Sequence, residues 1–396
     1  MKILLVNNYP SHYRVPFFER LAAAVDVEFI FFSDGAEPYW QEHLRGARME
    51  ARATTITGRP LGAGLNLNPR LARELWTRDY DVLIKCMNGR LELAGSYAIA
   101  RARNKPFVFW AMIWWQPVTL FGWLSQPAMQ AMYRGADAII TDGDQISRFV
   151  AANGIDPGKT FTAEFSIDND GFAQPVARDS RDAMRISLGA GERPLILAVS
   201  RLVPEKGLDV LITAASLLRD LDPVVAVAGT GSLAAELRTR AQALDVDLRL
   251  LGGLPPERMP LLYATADVFA MPSVTTPQVR EPWGLGVNEA HCQSLPVVAS
   301  DAVGAAAGRL VVNNETGLVV PERDPQALGA ALRRLLTDRA LAESLAAAGH
   351  QRVMATNYDA MVTNFKAAID FAVAAHGARS GRDVSRGRRR PRRRAR

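Results

Sequence analysis

Three segments, each just past an apolar run, hold the residue types that could do chemistry. In VSRLVPEKG (Val199 to Gly207) a guanidinium, Arg201, and an ammonium, Lys206, stand five residues apart where a strand pattern gives way to a helix opened by Glu205, Lys206 and Gly207. An Arg fork and a Lys point charge beside a helix N-terminus suit a diphosphate, whose charge must be neutralised where water is partly excluded. The same residues would equally serve as solvated pairing at a helix start. In EPWGLGVNEA (Glu281 to Ala290) two carboxylates, Glu281 and Glu289, lie eight residues apart around Gly284 and Gly286. Glycines there let backbone N–H groups approach an anion or sugar hydroxyls. Two carboxylates turned to one ligand would divide the work, one accepting sugar hydroxyls and the other a ribose diol. On a solvated helix they would only complement its dipole. The third segment, AGTGS (Ala228 to Ser232), offers a tight strand-to-helix turn with Gly229 beside a nucleotide. Ala234 stands where a complete GxGxxG would need its last glycine, so a dinucleotide site is disfavoured.

The first strand pattern is followed by His12, Tyr13 and Arg14, placed to contact an acceptor from the N-terminal half or simply to pack their loop. Asp142 and Asp144 form a DxD string, which reads as the N-cap of a helix Gln145 to Ala152, with Asp144 the capping residue. The histidines, His12, His43, His291, His350 and His376, are scattered without zinc spacing, and no metal site is expected. Pro106 to Tyr133 contains no charged residue, but Gln116, Pro117, Gly122, Gln126 and Pro127 interrupt it, so it does not read as a membrane span. Trp110, Trp114, Trp115 and Trp123 fall in this stretch, either as core or as an apolar face for a lipid acceptor or membrane surface.

These residues need strands and helices to position them. Apolar runs such as KILLVN (from Lys2), Val27 to Phe32, Asp81 to Cys86 and Pro106 to Met112 lack polar alternation, as in strands covered on both faces of a parallel sheet. Helical patterns over Val15 to Ala24, Leu91 to Arg103, within Leu120 to Arg134 and over Asp144 to Ala152 alternate with them. After an Asp, Arg, Gly and Pro rich segment the alternation restarts at Leu195. The expected organisation is an N-terminal acceptor-binding domain (1–168), a linker (169–193), a C-terminal donor-binding domain (194–355), a closing helix (356–376) packing back on the N-terminal domain, and a disordered Arg-rich tail (377–396). Two doubly wound α/β domains in tandem create a cleft facing the carboxyl ends of both sheets.

The 396-residue length suits two domains. Residues 378–396 carry ten arginines against one aspartate, so +9 of charge sits in the tail and −3 on the rest of a chain whose total is +6. A near-neutral body has no global field for nucleic acid. The tail reads as a solvated extension or as attraction to anionic lipid. Stacking aromatics do not interleave its arginines, which disfavours nucleic acid as a partner. Two cysteines and no signal-peptide pattern point to the cytoplasm, including the inner face of its membrane.

Together and in this order, VSRLVPEKG, AGTGS and EPWGLGVNEAHCQSLPVVASDAVG resemble the donor half of the retaining glycosyltransferases of family 4, the group 1 glycosyltransferases of the GT-B fold. The likeness covers Leu195 to about Leu336, and Glu281 with Glu289 is its most specific element. It implies metal-independent transfer of a sugar from a UDP- or GDP-sugar, with no cofactor, to a glycan, lipid-linked or small-molecule acceptor, as in polysaccharide biosynthesis. It assigns Arg201, Lys206 and Glu281 to catalysis. Gly229, Trp283, Gly284, Leu285 and Glu289 would bind the donor. Ser294 and Leu295 precede Pro-Val where the family often has a small residue. The loop after FVFWAMIWWQP also lacks the histidine many members carry, a space Trp115 or Gln116 would fill, and these two join His12, Tyr13 and Arg14 as acceptor candidates. The alternatives are a nucleotide-sugar epimerase or phosphorylase on the same fold, or a non-catalytic binder of nucleotide sugar or nucleic acid using the basic tail.

Overall fold

The computed structural model describes residues 1–33, 49–62 and 65–387. Strands β1 (Ile3–Asn7), β2 (Val27–Phe31) and β3 (Ala53–Thr55) are followed by a hairpin of β4 (Arg59–Gly62) and β5 (Leu65–Leu67). Next come β6 (Val82–Cys86), β7 (Phe107–Ala111), β8 (Ala138–Thr141) and β9 (Thr160–Thr162). Outside the hairpin they form one parallel sheet in the order β3-β2-β1-β6-β7-β8-β9. A second parallel sheet holds β10 (Leu195–Val199), β11 (Val224–Ala228), β12 (Asp247–Gly252), β13 (Val268–Met271), β14 (Val297–Ser300) and β15 (Leu318–Val320). Its order is β12-β11-β10-β13-β14-β15. In both sheets the chain winds outward in one direction and then in the other, which makes each doubly wound.

The central strands are buried along their whole length, which accounts for their unbroken apolar sequences. Helix Val15–Ala24 buries Phe17, Phe18 and Leu21 on the first sheet, a spacing that puts them on one face. Asn68 caps helix Pro69–Thr77 by accepting from the Leu71 amide at 3.0 Å. Neither this helix nor the short strands β3 to β5 stands out in the sequence, because exposed strands carry little apolar pattern and the helix is short, with only Leu71 and Leu75 buried.

Several elements depart from expectation. The segment 169–193 contains helix Arg178–Ser187, which packs against helix Met259–Thr265. Arg185 anchors it to Asp267 at 3.2 Å and to the Thr265 carbonyl at 2.9 Å. Its polar composition hid it. Asp144 is not a cap: Gly143 takes that position, and Asp144 is the first residue of helix Asp144–Ala152, with no side-chain cap bond. A Cβ at Gly143 would lie 2.5 Å from the Trp283 ring, so close contact with the second lobe decides the residue there.

The last helix, Tyr358–Gly387, crosses back to the first lobe. Tyr358, Met361, Val362, Phe365, Ala368, Ile369 and Ala372 join the core that contains β1, β2, β6 and β7. Phe365 packs edge-on against Trp110, with ring centroids 4.9 Å apart. The helix runs past the expected start of a disordered tail, with Arg379 paired to the buried Asp137. Residues 388–396, most of the arginine run, lie outside the described residues, as does His43. Among the described residues no helix is long and apolar enough to cross a membrane.

Candidate active site

The second sheet reverses its winding between β10 and β13, and ligands of such sheets bind where the loops leaving those two strands part. Both loops carry motif residues. After β10 the chain forms a single 3₁₀ turn, Pro204–Lys206, and helix Leu208–Ala215 begins only after Gly207. The expected helix start at Glu205 is therefore displaced by Gly207, whose φ of 60° breaks the turn from the helix. A Cβ on Gly207 would lie 2.0 Å from the Pro272 carbonyl oxygen, so glycine lets the two loops touch. The Val274 amide donates to the Glu205 carbonyl at 2.9 Å and joins them further.

That contact brings Lys206 against Glu281, and the two form an ion pair, with 13% and 11% of their side chains exposed. Arg201 donates to Glu205 at 3.0 Å and is more open to solvent. Both cations are thus carried by the loop that leaves β10, each beside a carboxylate.

The loop bearing Glu281 is held from two sides. The amides of Gly304 and Ala305 donate to the carbonyls of Glu281 and Trp283 at 3.1 and 2.7 Å. From the first lobe, the Trp114 indole N–H donates to the Glu281 carbonyl at 2.9 Å, and Gln145 to that of Pro282 at 3.2 Å. Trp283 is buried, its N–H given to Asn288 at 2.8 Å, and Asn288 donates in turn to the Phe165 carbonyl at 3.1 Å. Gly284 holds a φ of 103°, and the amides of Trp283, Gly284 and Leu285 have no acceptor among the described residues. They precede helix Gly286–Cys292.

Glu289 lies one turn into that helix, on the wall of a cavity of about 400 Å³ shared with Val199, Gly229, Met259 and Leu285. Tyr263 donates to its carboxylate at 2.6 Å. Burial pushes Glu289 up to about 7, partly offset by that hydrogen bond. At Gly229 a Cβ would sit 1.9 Å from the Ser200 carbonyl oxygen, so only glycine fits this turn.

The five acceptor candidates do not converge. His12 and Tyr13 line the cavity of Glu289. Arg14 is 5% exposed, its guanidinium 4.5 Å over Trp110 and 4.0 Å from Asp142. Burial pushes Asp142 up to about 6, and Trp110 donates to it. Gln116 donates to the Gly122 carbonyl at 2.9 Å and lines a separate cavity, while Trp115 is half-buried in the same loop. Gln145, Tyr263 and Asn288 were not singled out in the sequence, and Trp114 was read there as core or apolar surface and not as a support of the Glu281 loop. Asn288 lies inside EPWGLGVNEA, which is the one signal that pointed near it, whereas Trp114 meets Glu281 from 167 residues away.

The two cations, the two carboxylates and the backbone amides carried by the loops that leave β10 and β13 are donors and acceptors of the kind that a diphosphate-linked sugar requires. The family profile "Glycosyl transferases group 1" matches residues 179–352. The GDP-mannose-dependent alpha-(1-6)-phosphatidylinositol monomannoside mannosyltransferase of Mycobacterium tuberculosis is 34% identical over 273 residues, 67% of this chain and 67% of that protein. The enzyme of the same name from Mycolicibacterium smegmatis is 34% identical over 58% of this chain, which spans 61% of that relative's length. The solved structure of Anabaena Alr3699/HepE in complex with UDP superposes with a TM-score of 0.77 at 20% identity, over 93% of this chain and 100% of that one. WaaG, a glycosyltransferase involved in lipopolysaccharide biosynthesis, gives a TM-score of 0.65 at 19% identity, over 93% and 98%. Two Rossmann-like lobes with this switch-point motif set and these relatives make the chain a member of the group 1 glycosyl transferases, family 4 of the GT-B fold.

Proposed function

We propose that the protein transfers a sugar from a nucleoside-diphosphate sugar to a lipid-linked or glycan acceptor, with retention of anomeric configuration and without a metal. The observation that supports this is the Lys206–Glu281 ion pair across the two loops that leave β10 and β13, with Arg201 on the first of those loops and Glu289 in the helix that follows the second. Arg201 and Lys206 take the diphosphate, and their charge acts most strongly as the leaving group gains charge in the transition state. Glu281 and the amides of Trp283 to Leu285 hold the transferred sugar, Glu289 accepts from the ribose, and Gly229 lets the nucleotide approach the backbone. The relatives' names favour GDP-mannose as donor, whereas the Anabaena structure holds UDP.

The lipid-linked acceptor is favoured by an apolar surface on the first lobe. Trp110 is core and Trp114 is tied to Glu281, but Trp123 is 69% exposed, beside Val118, Leu120 and Leu124. We assign this face, and not Trp114, to peripheral membrane contact. Release of nucleoside diphosphate from UDP-, GDP- and ADP-sugars tests the donor assignment. One donor should turn over, and Lys206→Ala and Glu281→Ala should abolish it. Absence of turnover across the panel, or full activity in both variants, removes the reading.

A further inference from the structure

A second cavity, of about 370 Å³, lies in the first lobe beneath helix Leu120–Gly135 and shares no lining residue with the cavity of Glu289. Its volume falls in the range of small-molecule sites. The walls are mostly apolar, with Met87, Leu93, Ile113, Phe121, Met129 and Met132. Three thioethers can repack around a flexible occupant. The Tyr133 hydroxyl, buried in the same wall, has no hydrogen-bond partner among the described residues.

The lining of this cavity touches two neighbouring features. Its outer rim is continuous with the exposed face: Phe121 lines the cavity, and Leu120, Trp123 and Leu124 stand out from the same helix. The Arg90 guanidinium lies 3.7 Å over the Phe121 ring, a cation at the mouth. Two further lining residues connect it with the second lobe: Gln116, which donates to the Gly122 carbonyl, comes from the loop whose Trp114 holds the Glu281 carbonyl, and Gln278 comes from the loop that leads into Glu281. A hydrocarbon chain held in this cavity would therefore lie beside the loops that carry Trp114 and Glu281.

The geometry points to this cavity as the seat of one hydrocarbon chain of a lipid acceptor. This deepens the transferase reading and rests on it for the word acceptor. Chain binding itself does not depend on sugar transfer. The occupant is a lipid chain, not a protein, because the apolar walls lead outward into an exposed patch of large aliphatic and aromatic residues with a basic group beside it.

The full chain is titrated with 11-(dansylamino)undecanoate, following the blue shift of dansyl emission, and displaced with dodecanoate and octanoate. Saturable 1:1 binding is expected, with dodecanoate displacing the probe at least tenfold better than octanoate, since each added methylene strengthens burial. Met129→Trp and Ser125→Phe, which fill the cavity, should each weaken binding at least tenfold, while Lys206→Ala leaves it unchanged. Photolabelling of the wild type with a diazirine fatty acid needs no folded variant, and should mark peptides containing Met87, Met129 or Met132. Non-saturable binding, label confined to residues 118–124, or loss of binding with Trp123→Ser but not with folded Met129→Trp would overturn the proposal as surface adsorption. If UDP and GDP fail to bind while the undecanoate still does, the transferase reading falls and the chain site stands.

Discussion

The Lys206 ammonium is paired with the Glu281 carboxylate across the two loops that leave β10 and β13, and both side chains are nearly nine-tenths buried. Each partner satisfies a charge that would be costly to bury alone. Lys206→Ala should therefore destabilise the second lobe by about 3 kcal/mol as well as removing a diphosphate contact. Glu281→Gln keeps the shape and releases Lys206. Calorimetry should then show nucleoside diphosphate affinity held or raised about threefold, while turnover falls on the order of 100-fold. Equal loss of affinity and turnover in Glu281→Gln would contradict the division of roles.

Trp114 donates its single N–H to the Glu281 backbone carbonyl from the opposite lobe. Trp114→Phe retains an aromatic ring and deletes that bond, worth about 1 kcal/mol. Sugar transfer should drop about five- to tenfold while nucleotide affinity stays the same. A parallel loss of nucleotide affinity would mean that the indole supports the lobe and not the loop.

Gly207 and Gly252 both have positive φ, 60° and 71°, but their surroundings differ. A Cβ on Gly207 would strike the Pro272 carbonyl at 2.0 Å, and one on Gly252 would meet nothing within 4 Å. Alanine at Gly252 should cost about 1 kcal/mol for the left-handed backbone alone. Gly207→Ala should cost at least twice that and reduce turnover, because the loops must separate. Equal denaturation midpoints for the two variants would show that the loops do not depend on this contact.

Glu289 titrates near 7 because it is buried, against an ordinary value of 4.5. Its ionised form is the better acceptor for a ribose diol, so nucleotide affinity should fall as pH drops from 8 to 6, with a slope that disappears in Glu289→Gln. The effect on stability has the opposite sign. The folded state holds this proton more tightly than the unfolded chain, so the contribution is greatest below 4.5 and is lost as pH rises toward 7. A flat pH dependence of affinity in the wild type would remove Glu289 from the ribose.

His291 is buried, its ring nitrogens have no hydrogen-bond partner among the described residues, and burial depresses it to about 3 from an ordinary 6.5. Here the unfolded chain binds the proton first, so stability is lost as pH falls below 6.5. Between pH 7 and 5 this one group should cost about 2 kcal/mol. In His291→Leu that loss should disappear, so its unfolding free energy relative to the wild type should rise by the same amount over that interval. A constant difference between the two proteins would show that the imidazole is hydrated.

Much of the architecture was legible without coordinates. The apolar runs at Leu195, Val224 and Val268 announce strands covered on both faces, and the periodic apolar residues from Tyr358 to Ala372 announce the closing helix. Arg201, Lys206, Glu281 and Glu289 were visible as chemistry because each sits within a short segment beside a strand end. Helix Arg178–Ser187 was hidden by its charged composition. Arg14 gave no sign that it would be enclosed by Trp110 and Asp142, since its environment is built by strands far along the chain.

What the sequence determined by itself is local: which segments are strands, where glycine must relieve the backbone, and which side chains stand at strand ends. Tertiary structure alone decided that Lys206 meets Glu281, that Trp114 and Gln145 of one lobe hold a loop of the other, and that an apolar cavity opens beside Trp123. The reason is distance along the chain. Backbone preference acts over a few neighbouring residues, whereas these contacts join segments separated by up to 167 residues and arise only when strand order and lobe packing bring them together.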